Sequence, residues 1–218
     1  MPRILITAGP TREYLDPVRY LSNASSGKMG AALAKAALAA GFEVTIVTGP
    51  VTCDFPPKSK VLQVTTTDEM LQACLQVFPE CVGAIGAAAP CDFRPKYVSV
   101  EKIKKTGDCQ LTVDFVATPD IFAELGGIKR PDQWLVPFAL ETGENGKSHA
   151  LDKLRRKNGD FIILNGPQSM MGNLAEVEII DRTGTTLATF SGTKESVAVQ
   201  IINAINSRWP CSDHAQRY

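Results

Sequence analysis

Residues 3–10 read RILITAGP, and residues 27–47 read GKMGAALAKAALAAGFEVTIV. The first run is a short apolar segment that ends at Gly-Pro, as a buried parallel strand does. The second run favours a helix through its alanine, leucine and lysine content until Gly41 ends it, and Glu43–Val47 then reads as another buried strand. A strand, a helix and a second strand in this order predict a βαβ unit with parallel strands.

The same alternation of strand and helix continues along the chain. Further extended segments are predicted at Val61–Val64, Val82–Ala89, Leu111–Phe115, Trp134–Leu140 and Asp160–Leu164. Helices are predicted from Thr67 to Phe78, from Pro119 onward, from Ala150 to Lys157 and from Glu195 to Ser207, and a hairpin from Glu176–Asp181 with Thr186–Phe190. The pattern predicts an α/β fold: a doubly wound, Rossmann-like parallel sheet with helices on both faces and a C-terminal β-hairpin extension. We expect a single domain over residues 1–207 and a flexible tail over residues 208–218.

The bulk composition excludes several classes of partner. Lysine plus arginine equals aspartate plus glutamate at 23 each, so no overall field favours nucleic acid or an anionic membrane. The six cysteines form no CxxC pair, and the two histidines lack zinc-ligand spacing. The N-terminus lacks a signal-peptide pattern, and no apolar run approaches the roughly 18 residues of a membrane span. We therefore predict a cytoplasmic protein with free thiols and with neither nucleic-acid nor membrane partners.

The loops at the strand ends are where a ligand is expected. In a doubly wound sheet, ligands bind beyond the carboxyl ends of the strands, so the loops after Ala8, Ala89 and Leu140 should carry the site. In the first of them, Ser25-Ser26-Gly27 stands just ahead of the predicted helix. Free backbone amides and the helix dipole can hold an anion there, although a simple helix cap is the plainer alternative.

The first loop also carries a longer signature. Residues 16–30 read DPVRYLSNASSGKMG, which resembles the substrate loop of the phosphopantothenate–cysteine ligase family. The resemblance covers residues 3–165 in unbroken order and extends more loosely to residue 207. It implies that Asn23 contacts an acyl-nucleotide intermediate and that Arg19 reaches a substrate phosphate in the neighbouring subunit's site. The substrate-binding positions that it implies are Arg19, Asn23, Ser25, Gly27 and Gly30.

Later segments resemble the nucleotide-binding elements of the same family. They read GAAAPCDFRP at residues 86–95, VEKIKKTG at 100–107, TPDI at 118–121 and FALET at 138–142. The resemblance places Lys102 on a mobile flap that closes over the nucleotide. The nucleotide-binding residues that it implies are Gly86, Ala87, Ala88, Ala89, Asp92, Lys102, Thr118, Pro119, Asp120, Ile121, Phe138, Lys153 and Lys157. Pro90 and Cys91 stand where the family has small aliphatic residues, and we expect Cys91 to be an inert small residue.

The chemistry of these residues suits a triphosphate, but each also has a plainer explanation. The lysines within residues 102–105 can neutralise phosphate charge, although such a run is usually a solvated face. Lys153 and Lys157 lie four residues apart on one helical face, where nearby acids would make them ordinary surface charges. Asp92 offers a carboxylate to a ribose or to a metal, or it forms a turn.

The resemblance implies a ligase of coenzyme A biosynthesis. Such an enzyme joins 4′-phosphopantothenate and L-cysteine through an acyl-nucleotide intermediate and releases pyrophosphate. Asn23 and Lys102 are the implied catalytic residues. An acyl-cytidylate is expected, with CTP preferred over ATP, because the segments AAAxxDFRP and EKIKK resemble bacterial relatives. Mg²⁺ is expected to accompany the triphosphate without dedicated protein ligands, apart from Asp92, and no flavin is expected.

The resemblance also bears on assembly. The family forms homodimers, so a homodimer with a site shared between subunits is expected. Many bacterial relatives carry an N-terminal flavin-dependent decarboxylase, whereas this chain begins directly at the first strand of the ligase. A standalone form, or an excised domain, is therefore expected.

Two other functions remain open from the sequence. A nicotinamide-dependent oxidoreductase is disfavoured because the turn GPTRE does not fit GxGxxG and no catalytic Tyr-Lys or His pairing stands out. A Walker A motif does not fit either, because Ser22 and Met29 stand where it needs a glycine and a hydroxyl residue. A non-catalytic nucleotide-binding Rossmann module would explain Pro90 and Cys91, but the intact Asn23 and Lys102 argue against it.

Overall fold

The computed structural model describes residues 1–105, 107, 110–141, 146–166 and 172–209. Within these residues, strands alternate with helices, and a short 3₁₀ turn at Phe78–Glu80 follows the second helix. In chain order the elements are β1 (Arg3–Ala8), β2 (Arg12–Tyr14), β3 (Tyr20–Ser22), α1 (Lys28–Ala39), β4 (Glu43–Thr48), β5 (Lys60–Gln63), α2 (Thr67–Val77), β6 (Gly83–Gly86), β7 (Phe93–Pro95), β8 (Phe115–Ala117), α3 (Ile121–Ile128), β9 (Trp134–Leu140), α4 (Gly146–Arg156), β10 (Phe161–Asn165), β11 (Leu174–Asp181), β12 (Thr186–Thr193) and α5 (Lys194–Arg208).

Eight of these strands form one sheet in the order β12-β11-β10-β9-β6-β1-β4-β5. The strands from β10 to β5 run parallel, and β1 lies between β4 and β6, with Ile4 paired to both Val44 and Gly83. The direction of winding reverses between β1 and β6, which is where such sheets bind ligands. Strands β11 and β12 pair antiparallel beside β10. The predicted doubly wound fold and its C-terminal hairpin are both confirmed.

Helices cover both faces of the sheet because side chains alternate along each strand. In β1, Ile4 and Ile6 belong to the apolar cluster under α1 and α5, whereas Leu5 between them belongs to the cluster under α2 and α3. Helix α4 packs over Ile162 on the same face as α2 and α3, while the next residue, Ile163, faces α1 and α5. The ends of β1, β6, β9 and β10 therefore lie between an α1/α5 layer and an α2/α3/α4 layer.

The first helix lies unusually close to the first strand. A Cβ atom built on Gly30 of α1 would stand 2.5 Å from the Cβ atom of Ala8. Any larger residue at position 30 would push the helix away from the sheet. Gly30 is therefore required for helix–strand packing, and it fixes the start of α1 directly beside the end of β1.

Some element boundaries differ from the sequence prediction. Strand β6 spans Gly83–Gly86 rather than Val82–Ala89, although the Ala87 and Ala89 amides still donate to the Thr7 and Gly9 carbonyls at 3.2 and 2.9 Å. The extended segment predicted at Leu111–Phe115 becomes a strand only at Phe115–Ala117, where β8 pairs with β7. The β2–β3 hairpin was not predicted.

Helix α2 begins at the predicted Thr67, whereas α3 and α4 begin at other residues than predicted. Helix α3 begins at Ile121 rather than Pro119, since the Asp120 side chain accepts a hydrogen bond from the Ala123 amide and caps the helix. Helix α2 is capped by Thr66, which forms a capping box with Glu69. Helix α4 spans Gly146–Arg156, so it begins before the predicted Ala150.

The C-terminal helix ends on an aromatic contact. Trp209 stacks on Trp134 with ring centroids 5.8 Å apart, so the described chain stays packed to its last residue. The rest of the predicted tail, residues 210–218, lies outside the described residues.

The described cysteines at 53, 74, 81 and 91 are unpaired thiols, and Cys109 and Cys211 fall outside the described part. Among the described helices, none combines the length and apolar character needed to cross a membrane.

Candidate active site

A cleft of about 940 Å³ lies over the carboxyl ends of β1, β6, β9 and β10, at the reversal of the winding. It opens between the two helical layers, and its walls come from loops that are distant in sequence. Of the residues singled out from the sequence, it brings together Asn23, Ser25, Gly27, Gly86, Ala87, Ala88, Ala89, Asp92, Thr118, Pro119, Asp120, Ile121, Phe138, Lys153 and Lys157. Segments that are up to 134 positions apart in sequence thus share one cavity.

Three of the expected site residues lie outside this lining. Gly30 is buried under Ala8, as described above. Arg19 and Lys102 lie on a neighbouring surface, where the Arg19 guanidinium donates to the carbonyl of Ile103, the residue after Lys102. Arg19 and Lys102 are therefore close to one another but separate from the cleft within one subunit.

Asp16 organises that neighbouring surface. Its side chain is fully buried and accepts hydrogen bonds from the amides of Val18 and Arg19, both at 2.8 Å, and from the Ile103 amide at 3.1 Å. The Arg19 guanidinium adds contacts at 2.5 and 2.9 Å. Although burial by itself raises the pKa of Asp16, these hydrogen bonds hold that pKa well below its ordinary value. An ionised Asp16 therefore joins the first loop to the segment that carries Lys102.

Asn23 links the first loop to the second across the winding reversal. Its side-chain amide donates to the Pro90 carbonyl at 2.8 Å and, more weakly, to the Ala89 carbonyl at 3.4 Å. The side chain remains exposed to the cleft. An amide placed in this way can turn its donors toward a bound ligand without leaving the loop.

The backbone of Cys91 supports the second loop through the hydroxyl groups of two threonines. The Cys91 amide donates to Thr11 Oγ1 at 2.8 Å, and the Thr118 hydroxyl donates to the Cys91 carbonyl at 2.5 Å. Burial raises the pKa of the Cys91 thiol, so the thiol stays protonated near neutral pH. These contacts fix the backbone just before Asp92, which is exposed in the cleft.

The α3/α4 side of the cleft holds cations that already have acidic partners. Lys157 and Arg156 contact Asp120 at 2.8 and 3.2 Å, and Lys153 contacts Glu141 at 2.6 Å. Burial raises the pKa of Asp120, but the hydrogen bond and charge of Lys157 lower it by more. The net pKa is below its ordinary value, so the carboxyl is ionised. Asp120 thus caps α3 and holds two cations at the cleft wall.

The α1/α5 side of the cleft begins at a glycine whose replacement by any other residue would be strained. Gly27, the N-cap of α1, has a φ of 75°, and a Cβ atom there would lie 2.8 Å from Val51 Cγ1. No side chain caps α1, so its first amides point toward the cleft without an intrahelical partner. The open backbone donors at the helix start therefore belong to Lys28, Met29 and Gly30, directly after the expected anion-binding position at Ser25–Gly27.

Sequence reasoning missed several lining residues. Lys28, Arg156 and Lys194 all face the cleft. Lys194 is only 3% exposed, although a lysine that follows a helix-capping threonine reads as a surface residue in the sequence. Asn165 also lines the cleft, and its buried Oδ1 has no hydrogen-bond partner among the described residues. A donor on a bound ligand would satisfy that oxygen.

Comparisons with known proteins agree on one family. Residues 2–208 match the model of the DNA/pantothenate metabolism flavoprotein C-terminal domain. A cysteine/cysteine sulfinic acid decarboxylase from an unknown prokaryotic organism is 45% identical over 210 residues, which cover 93% of this chain and 57% of that protein. The coenzyme A biosynthesis bifunctional protein CoaBC of Escherichia coli K12 is 47% identical over 164 residues, which cover 74% of this chain and 40% of that protein. The chain spans about half the length of these curated relatives.

A solved structure extends the comparison to three dimensions. The crystal structure of the C-terminal domain of a coenzyme A biosynthesis bifunctional protein CoaBC superposes with a TM-score of 0.79 at 36% identity. The match covers 95% of this chain and 97% of that domain. The similarity therefore includes the whole sheet and both helical layers.

Proposed function

Since the chain belongs to the family of the DNA/pantothenate metabolism flavoprotein C-terminal domain, we propose that it is a phosphopantothenate–cysteine ligase. Relatives that carry this domain are named as coenzyme A biosynthesis proteins. The observation that carries the proposal is the cleft itself, where Asn23, Asp92 and Lys153 meet at the strand ends. We further propose that residues 1–207 form a single ligase domain.

The proposed reaction has two steps. An oxygen of the 4′-phosphopantothenate carboxylate attacks the α-phosphorus of a nucleoside triphosphate, and the bond to the bridging oxygen of pyrophosphate breaks. The cysteine amine then attacks the acyl carbon, loses a proton and displaces the nucleoside monophosphate to leave an amide. A carboxylate is a poor electrophile, so the mixed anhydride supplies the leaving group. The protein's task is to orient two anions and to offset their repulsion.

Each side of the cleft suits one part of this reaction. The small residues Ala87 and Ala88 leave room for a nucleotide against the backbone, and Asp92 offers a carboxylate to its ribose. Asn23 is exposed beside them and can donate to the acyl-nucleotide. Phe138 borders the same space and can pack against the bound ligand.

The lysines at the α4 side are proposed to contact nucleotide phosphates. In the structure, Lys153 is held by Glu141 and Lys157 by Asp120. These carboxylates hold the lysine side chains at the cleft wall, so little side-chain entropy remains to be lost when a phosphate binds. The same carboxylates offset the positive charge of the two lysines at the cleft wall.

We propose that magnesium enters this cleft as a companion of the triphosphate. Among the described residues, no group of three or more His, Cys, Asp or Glu side chains could hold a metal ion. Mg²⁺ is commonly bound by one or two carboxylates together with substrate phosphates, and the exposed Asp92 fits that role. When bound, the ion would offset phosphate charge. We propose CTP rather than ATP as the nucleotide, on the basis of the segments AAAPCDFRP and EKIKK.

A homodimer would bring Arg19 and Lys102 to a cleft. Both lie outside the cleft of their own subunit, on a surface with exposed apolar side chains. Those side chains come from the β2–β3 and β7–β8 hairpins and the segments beside them, namely Val18, Tyr20, Leu21, Phe93, Tyr97, Val98, Val100, Leu111 and Phe115. An apolar surface of this kind is typical of an interface. We propose that a second subunit covers it, that Arg19 contacts a phosphate in the partner's site, and that Lys102 lies on a flap over a nucleotide.

The test is a substrate-dependence assay on the purified protein. We expect pyrophosphate release with CTP, 4′-phosphopantothenate and cysteine together, and formation of the amide product in equal amount. With cysteine omitted, release should stop at about one equivalent per site. Parallel reactions with ATP test the nucleotide choice.

The same reactions also test for decarboxylation, the activity after which one relative is named. Release of CO₂ from cysteine or cysteine sulfinic acid without any nucleotide, and with no pyrophosphate formed in the complete mixture, would replace the ligase with a decarboxylase. Binding of CTP without turnover of any substrate would identify a non-catalytic nucleotide-binding module.

A further inference from the structure

A second cavity, of about 830 Å³, adjoins the cleft at the end of β10. It is bordered by the start of α4, the first residues of β11 and the end of β12. Among the described residues, Asn165 alone lines both this second cavity and the cleft. Asn165 therefore stands where the two spaces meet.

The sheet fixes the position of Asn165. It is the last residue of β10, and its backbone pairs with Leu140 of β9 on one side and with Val177 of β11 on the other. A side chain carried by such a strand is placed more precisely than one on a loop. The terminal torsion of an asparagine is broad, so the amide group can turn toward either space while the backbone stays in the sheet.

The side-chain oxygen of Asn165 is an acceptor without a donor. It is buried, and it has no hydrogen-bond partner among the described residues. A buried acceptor in this state destabilises the fold, so its presence calls for an explanation. Of the three groups that react in a ligase of the proposed kind, the carboxylate and the triphosphate offer only acceptors, whereas the amine of cysteine offers N–H donors. The amine is therefore the reacting group that suits Asn165.

The second cavity also has a group for the other end of an amino acid. Lys147, at the start of α4, lines this cavity, and its ammonium group donates to the neutral hydroxyl of Thr186 at 2.6 Å. A lysine that contacts a neutral group keeps its charge available for an anion such as the α-carboxylate. Leu164 adds an apolar surface to the same lining, against which a small side chain can pack.

This inference rests on the proposed ligase function, in which the cysteine amine attacks the acyl carbon. We propose that cysteine binds in the second cavity, with its amine donating to Asn165 Oδ1 and its carboxylate facing Lys147. Oδ1 accepts an N–H bond both before and after the ammonium group loses a proton to solvent, and it leaves the nitrogen lone pair free to face the cleft. That lone pair forms the C–N bond, the electron pair of the C–O bond leaves with the nucleoside monophosphate, and the nitrogen releases a second proton. Asn165 thus orients the amine and takes no proton itself.

The test measures how fast different amines consume the acyl-nucleotide. The full-length protein is first incubated with CTP and 4′-phosphopantothenate, and cysteine, cysteamine or hydroxylamine is then added. In Asn165→Leu, the second-order rate constants with cysteine and cysteamine should fall by roughly tenfold or more, because a hydrogen bond to an ammonium group is lost. Hydroxylamine needs no amino-acid site, so its rate constant should change by less than about twofold.

A second variant tests the carboxylate contact. Lys147→Met should slow the reaction with cysteine by roughly tenfold but leave that with cysteamine, which has no carboxylate, within about twofold of the wild type. Asn203→Ala is the control, because it removes an exposed asparagine of α5 outside both spaces and should change none of the rate constants.

Two measurements separate a binding role from a structural one. Leucine has nearly the size of asparagine and lacks the unpaired oxygen, so thermal unfolding of Asn165→Leu should occur at or above the wild-type temperature. The pyrophosphate released before any amine is added should also match the wild type. Lys147 is exposed, so Lys147→Met should fold and reports on the second cavity even if Asn165→Leu does not.

The outcomes distinguish this inference from the proposed function. An unchanged reaction of Asn165→Leu with cysteine, or equal losses with cysteine and hydroxylamine, would overturn the role of Asn165. Equal effects of Lys147→Met on cysteine and cysteamine would overturn the carboxylate contact. If the wild type makes the amide product while both variants react normally with cysteine, this inference fails and the ligase stands. If the wild type makes no amide with any nucleotide, the proposed function fails and the inference fails with it.

Discussion

The side-chain amide of Asn23 donates a 2.8 Å hydrogen bond to the carbonyl of Pro90 across the reversal of the sheet's winding. This contact joins the loop after β1 to the loop after β6, so both loops present their side chains to one cleft. The amide group is a neutral donor in a site that we propose to hold an anionic intermediate. It can stabilise that intermediate by a hydrogen bond without adding a charged group to the site.

Asn23→Ala should slow the use of the acyl-nucleotide more than its formation. Loss of a hydrogen bond to a charged group weakens binding by about 1.5–3 kcal/mol, so the cysteine-dependent step should slow by roughly tenfold or more. Rapid-quench measurements of pyrophosphate and amide product separate the two steps. Ser22→Ala is the control, because the Ser22 hydroxyl donates to the Thr11 carbonyl and supports the loop without lining the cleft. An equal slowing of both steps in Asn23→Ala would contradict the assigned role.

Lys102→Ala should reduce kcat/KM by the equivalent of about 2.7–4 kcal/mol, if its charge acts as one preorganised donor in the transition state. Steady-state kinetics with CTP measure the loss. Lys104→Ala changes an equally exposed lysine two residues away and should stay near the wild-type rate. Equal losses in the two variants would show that the flap contributes only general positive charge.

Gly27→Ala should destabilise the fold as well as the site. A non-glycine residue at a φ of 75° is strained, and the new Cβ would meet Val51, so the free energy of unfolding should fall by about 1–3 kcal/mol. Chemical denaturation measures this change. Gly127→Ala is the matched control, because nothing lies within 4 Å of a Cβ there, and alanine in a helix should raise stability by about 0.5–1 kcal/mol. A Gly27→Ala protein as stable as the wild type would show that the strain is relieved elsewhere.

Asp16 should contribute stability that depends on pH. Its pKa in the folded state is held below the ordinary value of 3.8, so its stabilising effect is complete above that value and is lost as the pH falls toward the folded pKa. Asp16→Asn should therefore be less stable than the wild type at pH 7, and the difference should shrink below about pH 4. Thermal unfolding across this range checks the effect. Asp152→Asn, which changes an exposed carboxylate, should give no such convergence.

The sequence predicted regular elements best where the hydrophobic pattern is decisive. Strand β9 has the predicted bounds, because a long apolar run with a tryptophan at its start leaves few other choices. The alanines at 87–89 were assigned to β6, since small apolar residues carry no signal that separates a strand from the loop beyond it. The β2–β3 hairpin was missed because its strands are three residues long and are supported by contacts such as that of Arg12 over the Tyr20 ring.

The candidate site was predicted to the extent that its residues form local motifs. Sequence segments 23–27, 86–92 and 118–121 reach one cleft, as the rule for doubly wound sheets requires. The burial of Lys194 could not be read from its own neighbours, because it results from the packing of α5 against α1. The acidic partners of Lys153 and Lys157 likewise follow from the tertiary approach of three segments.

The most direct test of the account follows an oxygen atom from substrate to product. With ¹⁸O in the carboxylate of 4′-phosphopantothenate, a turnover with CTP and cysteine should place one labelled oxygen in each nucleoside monophosphate, because the carboxylate oxygen attacks the α-phosphorus and stays there when the amine displaces it. Mass spectrometry of the nucleotide and of the phosphate products measures this transfer. Label found in pyrophosphate or inorganic phosphate, or unlabelled nucleoside monophosphate beside a labelled amide, would contradict an acyl-nucleotide mechanism.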